Sequence, residues 1–97
     1  MNGQAKIDFL KQSKYIESIF NELPKIYQNA LIIEFFDSVG IYINISTSTF
    51  KISQREFNFE IKDNDCKGYG YLKRQQATEK ALEKAIILYN EKFKENE

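Results

Sequence analysis

Leu31-Ile-Ile-Glu-Phe-Phe-Asp-Ser-Val-Gly-Ile-Tyr-Ile-Asn-Ile-Ser46 holds the change of period that decides the fold. Before Gly40 the apolar residues recur at helical spacing. Tyr27, Leu31 and Phe35 are four apart, with Ile26, Ala30, Ile33 and Phe36 beside them. After Gly40 the period is two: Ile41, Ile43 and Ile45 alternate with Tyr42, Asn44 and Ser46, the mark of a strand with one face buried and one in water. The run Leu31–Phe36 alone also fits a buried strand. Pro24 and Gly40 bracket the segment at helical length, the proline suited to a first turn and the glycine to a C-terminal stop, so a helix is expected.

Downstream, Phe57, Phe59 and Ile61 alternate with Asn58, Glu60 and Lys62 as a second half-buried strand. Ser53-Gln-Arg-Glu56 is expected to form a hairpin turn, Asp63-Asn-Asp-Cys-Lys-Gly68 a second turn, and Tyr69–Leu72 a short third strand. A last helix beginning near Lys73–Gln75 and running to Phe93 lines Ala77, Ala81, Ala85, Leu88 and Tyr89 along one side. It leaves Lys80, Glu83, Lys84, Glu91 and Lys92 in water. Upstream, Ile7, Leu10, Ile16, Ile19, Phe20 and Leu23 predict one helix over residues 5–20. The fold expected is α+β in two layers: a three-stranded antiparallel sheet packed by helices, in the order α-α-β-β-β-α. Residues 1–97 form one domain, an N-terminal helix (1–23) added to an αβββα core (24–97).

Composition narrows the function classes. The 97 residues carry 14 Lys/Arg and 14 Asp/Glu, so the net charge is zero and the chain lacks the basic excess of a generic polyanion binder. The zero conceals an asymmetry, since Lys67–Gln76 contains three positive charges and no acid. A single cysteine, Cys66, forms no internal disulfide and suits a reducing, cytoplasmic compartment. The N-terminal stretch lacks the apolar core of a secretory signal, and no apolar run is long enough to span a bilayer.

Catalytic constellations are missing from the pattern. There is no histidine, which removes the commonest general base and metal ligand. Asp63-x-Asp65-x-x-Gly68 opens like a calcium loop but places Lys67 fifth and Arg74 twelfth, where a bidentate glutamate is needed. Gly68-Tyr-Gly70 lacks the further glycine and parallel-strand context of a dinucleotide loop. Glu56 and Glu60 share a strand face about 13 Å apart, too far for a retaining carboxylate pair. No enzyme, cofactor or metal is therefore expected.

The candidate contact surface is the strand-to-helix junction. The helix start near Lys73–Gln75 offers free N–H groups and the positive end of the dipole, able to accept a phosphate or carboxylate. Lys67, Lys73 and Arg74 add charge, Tyr69 and Tyr71 can stack, and Gln75 and Gln76 can hydrogen-bond. In the competing reading the tyrosines pack on helices and the basic residues only solubilise. Ser46-Thr-Ser-Thr49 fits β-propensity, and Tyr42 points away from the isoleucine face.

Two resemblances follow from these motifs. Gly68, Gly70, Lys73 and Arg74 resemble the Gly-x-Gly-x-Ser-Lys-Lys-x-Ala-Lys opening of the last helix in double-stranded-RNA-binding domains. Leu72, Gln76 and Ala77 depart from it, and the family's strand-loop histidine has no counterpart. That likeness covers about a quarter of the chain and implies a helix, three strands and a helix, with RNA met through shape and phosphates. Phe35–Ile45, Phe57–Ile61 and Arg74–Ala85 are similar to small proteins of phages and prophages of Bacteroidetes-type bacteria. This implies a mobile-element origin. By analogy with anti-CRISPR proteins, it implies an inhibitor that binds a host-defence protein or ribonucleoprotein. Direct RNA binding is the alternative, and a small homodimeric structural protein, supported by any apolar patch on the first helix, is the third.

Overall fold

The computed structural model describes residues 1–13, 15–51, 54–62 and 65–93, with 48–51 and 54–55 described by their backbone. The elements are α1 (Gly3–Gln12), α2 (Glu17–Glu22), α3 (Lys25–Ser38), β1 (Ile43–Lys51), β2 (Gln54–Ile61), β3 (Cys66–Tyr71) and α4 (Arg74–Lys92). The strands form one antiparallel sheet in the order β1-β2-β3, with helices packed on it, as the periodicity predicts. Pro24 caps α3 rather than entering its first turn, and Gly40 at φ +84 turns the chain towards β1. Gln54, Arg55 and Glu56, expected in a turn, belong to β2; Ser53, Asp63 and Asn64 lie outside the described residues.

Residues 5–20 hold two helices rather than one. Ser13 ends α1, and its Oγ accepts the Tyr15 N–H at 3.0 Å. A hydroxyl bonded to nearby backbone competes with the helical ladder. Packing requires the break. The Phe9 and Phe20 rings meet edge to face with centroids 5.0 Å apart. Eleven residues of unbroken helix would separate them by about 16 Å along the axis. The inward face of α1 is Ala5 and Phe9, while Ile7 is 49% exposed.

These rings begin an aromatic core that ties the helices together. Phe9 meets Phe35 at 5.7 Å, and Phe35 meets Tyr89 at 5.5 Å. Each such side chain, fully buried, contributes about 1.5–3 kcal/mol. On α4, Ala77, Ala81 and Ala85 are fully buried, and their small side chains let the helix lie close to the sheet, where Phe59 and Ile61 are also buried. Lys80, Glu83, Lys84, Glu91 and Lys92 face water as expected.

The start of α1 is held by the end of α4. Asn2, at the N-cap, makes no side-chain cap bond. Asn90 supplies it instead: its Oδ1 accepts the Ala5 N–H at 2.8 Å, and its Nδ2 donates to Asn2 O and Oδ1 at 3.2 and 3.0 Å. Gly3 enters with φ +62, which favours glycine, and a Cβ there would stand 2.7 Å from Asn90 Nδ2, so the capping amide would have to shift.

Candidate functional site at the junction of β3 and α4

Register places each side chain of the junction. β2 and β3 pair as Ile61↔Cys66, Glu60↔Lys67 and Phe59↔Gly68, then slip so that Phe57 faces Tyr71. Tyr69 and Gly70 thus stand opposite the single Asn58, which is a β-bulge. Gly70 adopts φ +82 there and donates its N–H to Asn58 Oδ1 at 3.3 Å. The slip resets the alternation. Gly68 and Tyr71, three residues apart, are both half-buried, and Tyr69 turns outward at 69% exposure.

Both glycines of Gly68-Tyr-Gly70 therefore have structural work. Gly70 makes the bulge. Gly68 makes room for Phe59, because a Cβ on it would lie 2.1 Å from Phe59 Cε2. The two tyrosines divide between the competing sequence readings. Tyr71 packs, its ring centroid 6.0 Å from that of Phe59. Tyr69 presents its ring to solvent.

The basic residues divide as well. Lys67 Nζ lies 3.5 Å from Glu60 Oε2, its cross-strand partner. Arg74 lays its guanidinium over the Phe57 ring at 5.1 Å, a cation–π contact that folds the side chain back on the sheet. Lys73 is the N-cap of α4, exposed, without a side-chain cap bond and without an ion-pair partner among the described residues. The Ala77 N–H, bonded to Lys73 O at 3.2 Å, opens the helical ladder, which leaves the N–H groups of Arg74, Gln75 and Gln76 facing outward. The first turn contains no acid. Gln75 Nε2 donates to Glu79 Oε2 at 2.8 Å, which directs that amide along the helix.

One contributor escaped sequence reasoning. Leu72 is 76% exposed between Tyr71 and Lys73. Its signal was a lone leucine following an inward tyrosine, at the position where strand alternation points outward. The junction thus combines an outward tyrosine, an outward leucine and one unneutralised lysine at the head of a 19-residue helix.

Ionisable groups elsewhere serve packing. Tyr89 donates its hydroxyl to Asp8 Oδ2 at 2.5 Å, and Gln4 Nε2 donates to Asp8 Oδ1 at 2.8 Å. The hydrogen bond from Tyr89, with that from Gln4, holds the Asp8 carboxyl below its ordinary value. Burial, and then the Asp8 hydrogen bond, push the Tyr89 phenol up to about 12. A cleft of about 400 Å³ between α1 and α3, floored by Phe9 and Phe35, includes no residue of the junction. Among the described residues no cluster of three or more His, Cys, Asp or Glu side chains could hold a metal ion, and no helix is long and apolar enough to cross a membrane. No family model, no curated protein and no solved structure matches this chain.

Proposed function

We propose that this protein is a non-enzymatic binding module that acts as a phage- or prophage-type inhibitor, docking on a protein or ribonucleoprotein of host defence. The observation that carries the reading is the outward pair Tyr69 and Leu72, 69% and 76% exposed, beside Lys73. A large aromatic with an adjacent apolar side chain and one charge is the composition of a protein-contact hot spot. With Lys67 beside Glu60, the junction keeps two cations without an ion-pair partner among the described residues, Lys73 and the Arg74 that lies on Phe57. Binding to bare RNA draws on many unneutralised cations and counterion release, so a mixed surface suits a protein target or a protein-bound RNA better.

A second reading, a module that binds double-stranded RNA directly, is favoured by one observation. The elements α3-β1-β2-β3-α4 follow the order of that family, with Lys73 and Arg74 at the head of α4.

Affinity purification of the tagged protein from a bacterial host, with and without nuclease, separates the two. A host protein retained after nuclease supports the inhibitor reading. Tyr69→Ser with Leu72→Ser should then lower its recovery at least tenfold while leaving the unfolding midpoint unchanged. Undiminished recovery would exclude the junction as the contact. RNA recovered alone and lost on nuclease treatment would favour the second reading. Lys73→Ala with Arg74→Ala should then reduce the slope of log affinity against log salt by about 2.

A further inference from the structure

We infer that the free edge of β1 is a self-pairing edge. A second copy of this chain docks its own β1 there, antiparallel across a two-fold axis, and two three-stranded sheets become one of six strands. This inference does not rest on the function proposed above.

β1 pairs with β2 on one side, and no described strand lies on the other. The bond from the Lys62 N–H to the Tyr42 carbonyl, 2.9 Å, sets the phase of the ladder. With the register Asn44↔Glu60 and Ser46↔Asn58, the even-numbered residues aim their backbone groups at β2. Ile43, Ile45 and Thr47 therefore aim their N–H and C=O groups at the free edge.

The sheet's two edges are unlike. The β3 edge is broken by the Gly70 bulge and carries Lys67, both devices that blunt an edge. β1 carries neither over its first half. From Ile41 to Phe50 there is no charge and no proline, and its pairing with β2 is regular from Ile43 to Thr49. A long, neutral, regular edge is a template for another strand.

The strand is also its own complement. A two-fold axis at Ile45 pairs Ile45 with Ile45 of the second copy, and Ile43 with Thr47 of the second copy. Every hydrogen-bonded pair in that ladder joins residues whose backbone groups already point outward, and no like charges meet. Ile43 and Ile45 pack against the core yet are only half-buried. Pairing sets the second copy's isoleucines beside them on the same face and extends the apolar layer.

Two measurements test the inference on the whole chain. Sedimentation across a concentration series should show the mass rising to twice 11.4 kDa. Over the same series, hydrogen exchange should show the Ile43, Ile45 and Thr47 amides becoming protected. Asn44 and Ser46 should be protected throughout. Thr47→Pro removes one outward N–H at an exposed edge position where proline is tolerated, and Thr47→Lys places a charge in the ladder. Each should yield a monomer with unchanged circular dichroism. A chain that stays monomeric at every concentration overturns the inference. So does a dimer whose odd-numbered amides exchange freely, which would move the contact to exposed residues such as Ile16 and Ile26. Should Thr47→Pro fail to fold, dimerisation by Thr47→Lys at wild-type strength overturns it too.

Discussion

Replacing Gly68 by alanine brings a methyl carbon to 2.1 Å from Phe59 Cε2, where apolar carbons settle at about 3.5–4.0 Å. The deficit is roughly 1.5 Å, and the ring has little room to move. Phe59 is 2% exposed, with Tyr71 against it. Overpacking of a dense core costs about 1–3 kcal/mol, and a clash against a buried ring belongs near the top of that range. Alanine is favoured over glycine within a strand by about 0.5–1 kcal/mol through backbone entropy, which offsets part of the loss. The φ of Gly68 lies outside the left-handed region, so backbone strain adds nothing. The net expectation is a loss of about 2 kcal/mol. That is a large part of the roughly 5–15 kcal/mol typical of a domain and is equivalent to about 8–16 °C in Tm. Urea denaturation followed by circular dichroism measures it, with an unchanged slope as the check that only stability moved. Phe59→Leu supplies the decisive background. It withdraws the ring edge at a cost of its own, and Gly68→Ala should then be close to neutral, giving a coupling of about 2 kcal/mol. An equal cost of Gly68→Ala in both backgrounds would refute ring approach as the reason glycine occupies this position.

Further expectations concern the helix ends and pH. Asn90→Ala removes the cap on α1 and should cost about 1–2 kcal/mol, with hydrogen exchange accelerating in α1 well before the sheet. Tyr89 titrates late when folded, near 12 against 10.0, so its stabilisation is whole below pH 10 and is lost as pH rises from 10 towards 12. Absorbance titration should find one of the six tyrosines ionising last, and Tyr89→Phe should remove that step. The Asp8 carboxyl is shifted down, so its contribution is present above the ordinary value of 3.8 and is lost as pH falls through the folded value. Tyr89→Phe should also weaken that acid dependence.

The legible part of the fold was the part written in local period. The switch at Gly40 and the alanines four apart on α4 led to the correct elements because each signal lies within a few residues of what it specifies. α1 was harder. It carries apolar side chains on more than one side, and the anchor that matters, Phe9, is selected by Phe20 and Phe35 from other helices. Ile26 and Tyr27, on the expected apolar face of α3, are exposed, while α3 buries Ile32, Phe35 and Phe36 nearer its end. At the junction, local composition showed three cations without an acid. It could not show that Glu60 sits across the strand from Lys67, or that Phe57 lies beneath Arg74, because these partners are set by register and by the bulge. The glycine pair could be read as a ligand motif for the same reason, since the ring that demands Gly68 belongs to another strand.

The clasp between Asn90 and the head of α1 also imposes an order of events. Ala5 leaves the ribosome before Asn90, and the side chain that satisfies its N–H follows 85 positions later. At about 5–20 residues per second, that interval is roughly 4–17 s. A ten-residue helix is too short to persist alone in water. α1, made before its partner helix, is therefore among the last elements to settle, and until α4 is nearly complete the nascent chain carries Phe35 and Phe36 without Tyr89 against them, a period in which a chaperone has most reason to attend to it.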